Sequence, residues 1–214
     1  MTLAPSLARP LSPGAADALL FDLGRVVINI DFGKALACWA GHAGCEAADL
    51  AARFAPDESY RHHETGKLSD ADYFAALRSS LRIGITDAQF LEGWNAIFAG
   101  EMPDIADQLA RAARHLPLYA FSNTNAAHVA HFPLLYADVL KHFREIFLSS
   151  SIGLRKPDAE AYEHVVKAIG VPASRIVFFD DVAENVEGAR AVGIHAVQVK
   201  SPADIAETLA ALGI

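Results

Sequence analysis

Two apolar runs that stop abruptly on carboxylates constrain this chain more than anything else in it. Near the start, Ala18-Leu19-Leu20-Phe21 is followed by Asp22-Leu23-Gly24; late in the chain, Ile176-Val177-Phe178-Phe179 is followed by Asp180-Asp181. Short continuous apolar runs of this kind suit strands buried in a sheet. In an open α/β sheet, ligands bind outside the carboxyl ends of the strands, so acids placed there point to chemistry rather than to solubility. The two runs would bring Asp22, Asp180 and Asp181 together.

The rest of the chain supplies a frame for such a sheet. Beyond Pro103 the pattern predicts a helix near 104–115, a strand at 118–121, a helical stretch over 126–136 and a strand near 146–148. A helix at 158–169, the strand 176–179, a helix at 183–192, a strand at 196–199 and a last helix at 202–212 follow. Strands alternating with helices imply crossover units and a mostly parallel, doubly wound α/β sheet covered on both faces. From about 32 to 100 apolar residues recur at helical spacing instead, with helix starts at Ser69 and at Thr86-Asp87-Ala88-Gln89, which has the form of a capping box. Val26 to Asp31 suits a flap or hairpin leaving the sheet. The expected division is a loose extension at 1–16, an α/β core at 17–31 and 101–214, and an inserted helical domain at 32–100.

Composition excludes several classes. The chain has 214 residues, of which 52% are apolar, enough to bury a proper core. Its formal charge of −8 and scattered basic residues argue against nucleic acid. No stretch approaches the ~18 apolar residues that a membrane span needs. Cys38 and Cys45 offer neither a disulfide framework nor a paired metal motif, so reduced thiols and a cytoplasmic setting are expected. His128 and His131 lie three apart, but no matching spacing completes a zinc site. Trp39, Trp94, Phe74 and Phe98 read as packing residues of the insertion.

Four strand ends or the loops after them then carry polar groups: Asp22, Ser122-Asn123-Thr124-Asn125, Arg155-Lys156-Pro157 and Asp180-Asp181. Taken singly, each is an ordinary turn or cap. Together they describe an anion site. A phosphate dianion repels a carboxylate nucleophile, so Asp22 would need positive charge beside it, from a Mg²⁺ on hard carboxylate oxygens and from Lys156. Ser122 and loop N–H groups could hold the phosphoryl oxygens.

In these four motifs and their order the chain resembles the haloacid dehalogenase-like superfamily, from Ala18 onward. Phe21-Asp22-Leu23-Gly24, Asn29-Ile30-Asp31-Phe32 and the segment His62 to Ser69 look most like the bacterial α-D-glucose-1-phosphate phosphatases of that superfamily. The resemblance implies a Rossmann-like core with a helical cap, and Asp22 as a nucleophile forming a phosphoaspartyl intermediate. It implies Mg²⁺ bound by Asp22, the Gly24 carbonyl and Asp181, with Asp180 as a further ligand or as partner of Lys156. Lys156 counts as catalytic, and Ser122, Asn123 and Lys156 as substrate-binding. The expected partner is a small phosphorylated metabolite, a sugar phosphate foremost, with the chain a monomer or small homo-oligomer. One departure matters: many phosphatases of the superfamily carry an acid/base Asp two residues after the nucleophile, where this chain, like the sugar-phosphate phosphatases it resembles, has glycine, Gly24. Asp31, His63 and Glu64 are the polar residues to test as substitutes. Two other readings stand beside the phosphatase: a metal-independent 2-haloacid dehalogenase, which clustered acids disfavour, and a non-catalytic regulator binding Mg²⁺ and phosphate.

Overall fold

The computed structural model describes residues 11–214. Its strands are β1 (Ala18–Phe21), β2 (Ile28–Ile30), β3 (Phe98–Glu101), β4 (Leu118–Ser122), β5 (Phe143–Leu148), β6 (Ile176–Asp180) and β7 (His195–Gln198). Five of them form one parallel sheet in the order β5-β4-β1-β6-β7. Strand β1 lies at its centre, and chain order runs outward from it in both directions. That makes the gap between β1 and its neighbours the topological switch point, where crossovers to opposite faces leave a crevice at the carboxyl ends.

The sheet has a core on each face because successive side chains alternate. Leu19 and Phe21 of β1 join Val177 and Phe179 of β6 in one cluster with Leu109, Val139 and Leu209. Ala18 and Leu20 join Ile176 and Phe178 in the other, with Tyr162, Val165, Val186 and Ala189. Each such Leu, Val or Phe contributes about 1.5–3 kcal/mol by leaving water. The covering helices are α6 (Ile105–Ala112), α11 (Ala159–Ile169), α12 (Ala183–Ala191) and α13 (Pro202–Ala211), with α7 (Ala126–Val129), α8 (Phe132–Leu135), α9 (Ala137–Leu140) and α10 (Ser149–Ile152) as short turns between strands.

Between β2 and β3 come five helices: α1 (Phe32–Ala43), α2 (Ala47–Ala51), α3 (Glu58–Glu64), α4 (Asp70–Leu81) and α5 (Asp87–Asn95). Their shared cluster holds Trp39, Phe74, Leu81, Phe90 and Trp94. Ser69 caps α4 and the Thr86–Gln89 capping box opens α5, as the sequence predicts.

Three local expectations change. Residues 98–100, expected within the helical insertion, form with Glu101 a strand antiparallel to β2. The stretch 126–136 is not one helix: α7 ends at Val129 and Pro133 opens α8, because a proline is tolerated only in a helix's first turn. Of the extension expected at 1–16, residues 1–10 lie outside the described residues, while Leu11, Ala15 and Ala16 pack on the core. Among the described residues no helix is long and apolar enough to cross a membrane.

Candidate active site

Strand β1 delivers Asp22 to the switch point, and β6 delivers Asp180 and Asp181 beside it. Ligand oxygens from these three acids all lie within 4.8 Å of one another. Lys156, 1% exposed, reaches in from the loop after α10. Its ammonium donates to Asp22 Oδ1 at 2.8 Å and to Asp180 Oδ2 at 2.7 Å. The same nitrogen lies 5.3 Å from the ring centroids of both Phe121 and Phe178. Those rings add cation–π attraction inside a dry setting.

Asp180 is completely buried and its oxygens are occupied: Oδ1 accepts from Val182 N–H at 2.8 Å, and Asn185 Nδ2 donates to both oxygens at 3.0 and 3.1 Å. Asp180 is thus paired with Lys156, while an oxygen of it also belongs to the three-acid group. Asn185, which the sequence reading missed, stands in the first turn of α12, five residues on. Asn123 lines the site, yet its amide pairs with the Lys156 backbone, donating to the carbonyl and accepting from the N–H at 2.9 Å each. It thereby sets the loop that aims the lysine.

Burial pushes the Asp22 carboxyl well above the usual carboxylate range, against the pull of Lys156, while Asp180 and Asp181 push it further up. Burial, then Asp180, raises Asp181 as well. Burial would lower the Lys156 ammonium, but the two carboxylates more than reverse that and its pKa stands raised. Three acids facing one ammonium leave an excess of negative charge at low solvent exposure. Hard oxygen donors with uncompensated charge are what a Mg²⁺ takes, so the residues fit that ion.

These groups open onto a cavity of 520 Å³, lined also by Gly24, Arg25, Ser122, Thr124 and Arg155 from the core and by Phe32, Tyr60, Arg61 and Glu64 from the inserted helices. Arg25 sits in the tight turn after β1 with φ 58°, its N–H donating to Ile28 O at 2.7 Å. The helices are tied to the core at two places. Arg155 bonds Glu64 Oε2 through Nε at 3.0 Å and through a terminal nitrogen at 2.9 Å, while the Ser149 hydroxyl accepts from Thr124 N–H at 2.8 Å and donates to Glu64 O at 2.6 Å. On the other side, Asn125 Oδ1 accepts from Trp94 Nε1 at 3.2 Å and from His128 N–H at 3.1 Å.

Of the proposed substitutes for an acid at position 24, Asp31 is the exposed N-cap of α1, accepting from Gly33 N–H at 2.8 Å. His63 bonds Asp70 at 2.6 Å and stacks on Tyr73, outside the cavity lining. Glu64 reaches the cavity but is paired with Arg155. His128 and His131 form no metal-holding group among the described residues; His131 packs near Phe98.

Residues 16–193 match the profile of the haloacid dehalogenase-like hydrolases. The chain belongs to that family. Among its relatives, a phosphatase of Mycobacterium tuberculosis is 37% identical over 103 residues, 48% of each chain. The chain thus spans about half the length of that protein. A D-ribitol-5-phosphate phosphatase of Bacteroides thetaiotaomicron is 22% identical over 191 residues, 87% of this chain and 93% of that one. A solved family enzyme from Bacteroides thetaiotaomicron, in complex with magnesium and inorganic phosphate, shares the fold at TM-score 0.75 and 22% identity, covering 87% of this chain and 95% of its own. A solved L-2-haloacid dehalogenase of Xanthobacter autotrophicus shares it too, at TM-score 0.66 and 17% identity over 86% and 77%. Proteins named for both reactions accordingly share this fold, and the residues at the carboxyl edge of the sheet must distinguish them.

Proposed function

We propose that this chain is a Mg²⁺-dependent phosphatase hydrolysing a small phosphorylated metabolite, a sugar phosphate foremost, through a phosphoaspartyl intermediate on Asp22. The observation that carries this reading is the cluster of Asp22, Asp180 and Asp181 around a single ammonium. A dehalogenase would have to bring a carboxylate substrate to that surplus of negative charge and expel a halide past it. A phosphatase uses the surplus to hold a cation. The phosphatase relatives and the magnesium and phosphate bound by a structural neighbour support the choice.

Asp22, Asp181 and the Gly24 carbonyl would hold the ion. When bound, it supplies charge that offsets the repulsion between carboxylate and phosphate. Lys156 orients Asp22 through Oδ1 and adds a second positive charge beside the phosphoryl group. Ser122 would hold a phosphoryl oxygen, and Asn123 keeps Lys156 in place. The helices α1–α5 act as a cap, since Phe32, Tyr60 and Arg61 line the cavity from that side and limit the water within it.

Phosphate release from a panel of sugar phosphates should require Mg²⁺, stop on chelation, and fall roughly 10³-fold or more in Asp22→Asn. Chloride release from 2-chloropropionate without metal would refute the reading. Mg²⁺-dependent binding of phosphate esters with no turnover would refute it in favour of a regulator.

A further inference from the structure

Among the described residues, the ionisable groups that line the cavity are paired, directed at the nucleophile, poor acids, assigned to the ion or exposed to solvent. At position 24 a Cβ would lie 4.0 Å from Asp22 Oδ2 and 3.5 Å from Ile30 Cγ1, both ordinary contacts, so a side chain there would stand beside the nucleophile. The chain has glycine instead. Among the described residues that line the cavity, Glu64 is paired twice with Arg155. Both ring nitrogens of His128 are engaged, by Asn125 at 3.0 Å and by the Trp94 carbonyl at 3.0 Å. The Lys156 ammonium is directed at Asp22 and Asp180. Burial holds the Tyr60 phenol well above its usual value, so it is a poor acid. Guanidinium groups do not give up protons in proteins. Asp158 and Glu184 are solvent-exposed, and Asp181, grouped with Asp22, is one of the residues assigned to the ion.

Without a positioned acid the leaving oxygen departs as an anion. We propose, resting on the phosphatase reading above, that this site selects phosphate esters of acidic hydroxyls (acyl, enol, aryl or anomeric phosphates) over those of ordinary alcohols. An Asp22 oxygen attacks phosphorus, the bond from phosphorus to the ester oxygen breaks, and its electron pair leaves on that oxygen, which takes a proton from water after departure. Water then attacks phosphorus in the phosphoaspartyl group, the bond to Asp22 breaks with its electrons returning to the carboxylate, and the water's proton passes to solvent as phosphate leaves. That second step expels a carboxylate and needs no acid. The first depends steeply on the leaving hydroxyl, whose pKa is about 4 for a carboxylic acid and about 10 for a phenol, and lies far higher for an ordinary alcohol.

Phenyl phosphate and cyclohexyl phosphate present rings of similar size on leaving groups of very different acidity. With Mg²⁺, the chain should hydrolyse phenyl phosphate with a kcat/KM roughly 10²- to 10⁴-fold higher, the factor a positioned acid ordinarily supplies. Gly24→Asp should narrow that gap at least tenfold by raising the rate on cyclohexyl phosphate. Comparable rates in the unaltered chain overturn the proposal, because some other group must then be delivering the proton. A gap that Gly24→Asp leaves intact overturns the part given to position 24. Failure to hydrolyse either ester, or any sugar phosphate, overturns the phosphatase reading itself.

Discussion

Lys156 carries its charge at 1% exposure, where an unpaired ammonium would cost several kcal/mol, and two carboxylates at 2.7 and 2.8 Å offset that cost. The dependence runs in both directions. Lys156→Met, of similar length, leaves Asp22 and Asp180 facing one another with no cation between them, and should lower stability by about 3–5 kcal/mol in urea denaturation. In a background of Asp22→Asn with Asp180→Asn, the same substitution should cost much less, because residues in one charge network do not act additively. At this scale the sequence was informative about Asp22, Asp180, Asp181 and Lys156, since each follows an apolar run or a turn signal. Glu64 and Arg155 were legible only as members of motifs. Their contact spans 91 residues of chain, and no local spacing encodes it.

At the scale of elements, helix α5 packs on α1 through a point of unusually close approach. A Cβ at Gly93 would lie 2.2 Å from Trp39 Nε1, the nitrogen that donates to Phe90 O at 2.9 Å. Trp39 also stacks on Phe90 with ring centroids 4.6 Å apart, so the indole has no free direction in which to retreat. Gly93→Ala would gain about 1 kcal/mol of helix propensity. Forcing the helices apart costs about 1–3 kcal/mol or more, so a net loss is expected, read as a lower thermal midpoint. Elements with strong periodicity or clear caps were legible, as at Ser69 and Thr86. Strand β3 was not, because four residues, Phe98-Ala99-Gly100-Glu101, are too few to show alternation, and their pairing with β2 depends on segments about 70 residues away in the chain.

Across the whole molecule, the inserted helices and the sheet meet through a buried polar network that is sensitive to pH. Asn125 Oδ1 already accepts from Trp94 and from the His128 backbone, so its Nδ2 must donate to His128 Nδ1, leaving Nε2–H for the Trp94 carbonyl. A proton on Nδ1 would set donor against donor. Burial pushes the His128 pKa down from 6.5 to about 4, even though its bond to Trp94 pulls the other way. The unfolded chain therefore takes up this proton near pH 6.5 while the folded chain resists until about 4, so stability falls as pH drops through that window. Between pH 7 and 4.5 the unaltered chain should lose about 2–3 kcal/mol more than His128→Gln, as measured by urea unfolding at each pH. The second tie is steric as well as polar. Gly66, at φ 68°, lies where a Cβ would come within 2.7 Å of Ser150 O, so the chain after α3 lies directly against α10 of the core.

The sequence alone determined the parallel α/β core, the helical insertion and the acids at the strand ends, because burial and periodicity are local properties of a chain. The resemblance to phosphatases of the superfamily also singled out Gly24, where many of them carry an acid. Only the tertiary structure decided which charges meet. Asp180 proves to be the lysine's partner, Asn123 the brace of the lysine's loop, and Glu64 a counter-ion of Arg155 rather than a spare acid. Those pairings join residues that are distant in the chain, and they arise from the packing of β1 between β4 and β6 and of five helices against the carboxyl edge of the sheet. A linear pattern records which residues prefer burial or a turn, but the distances between side chains on different elements are set when those elements pack.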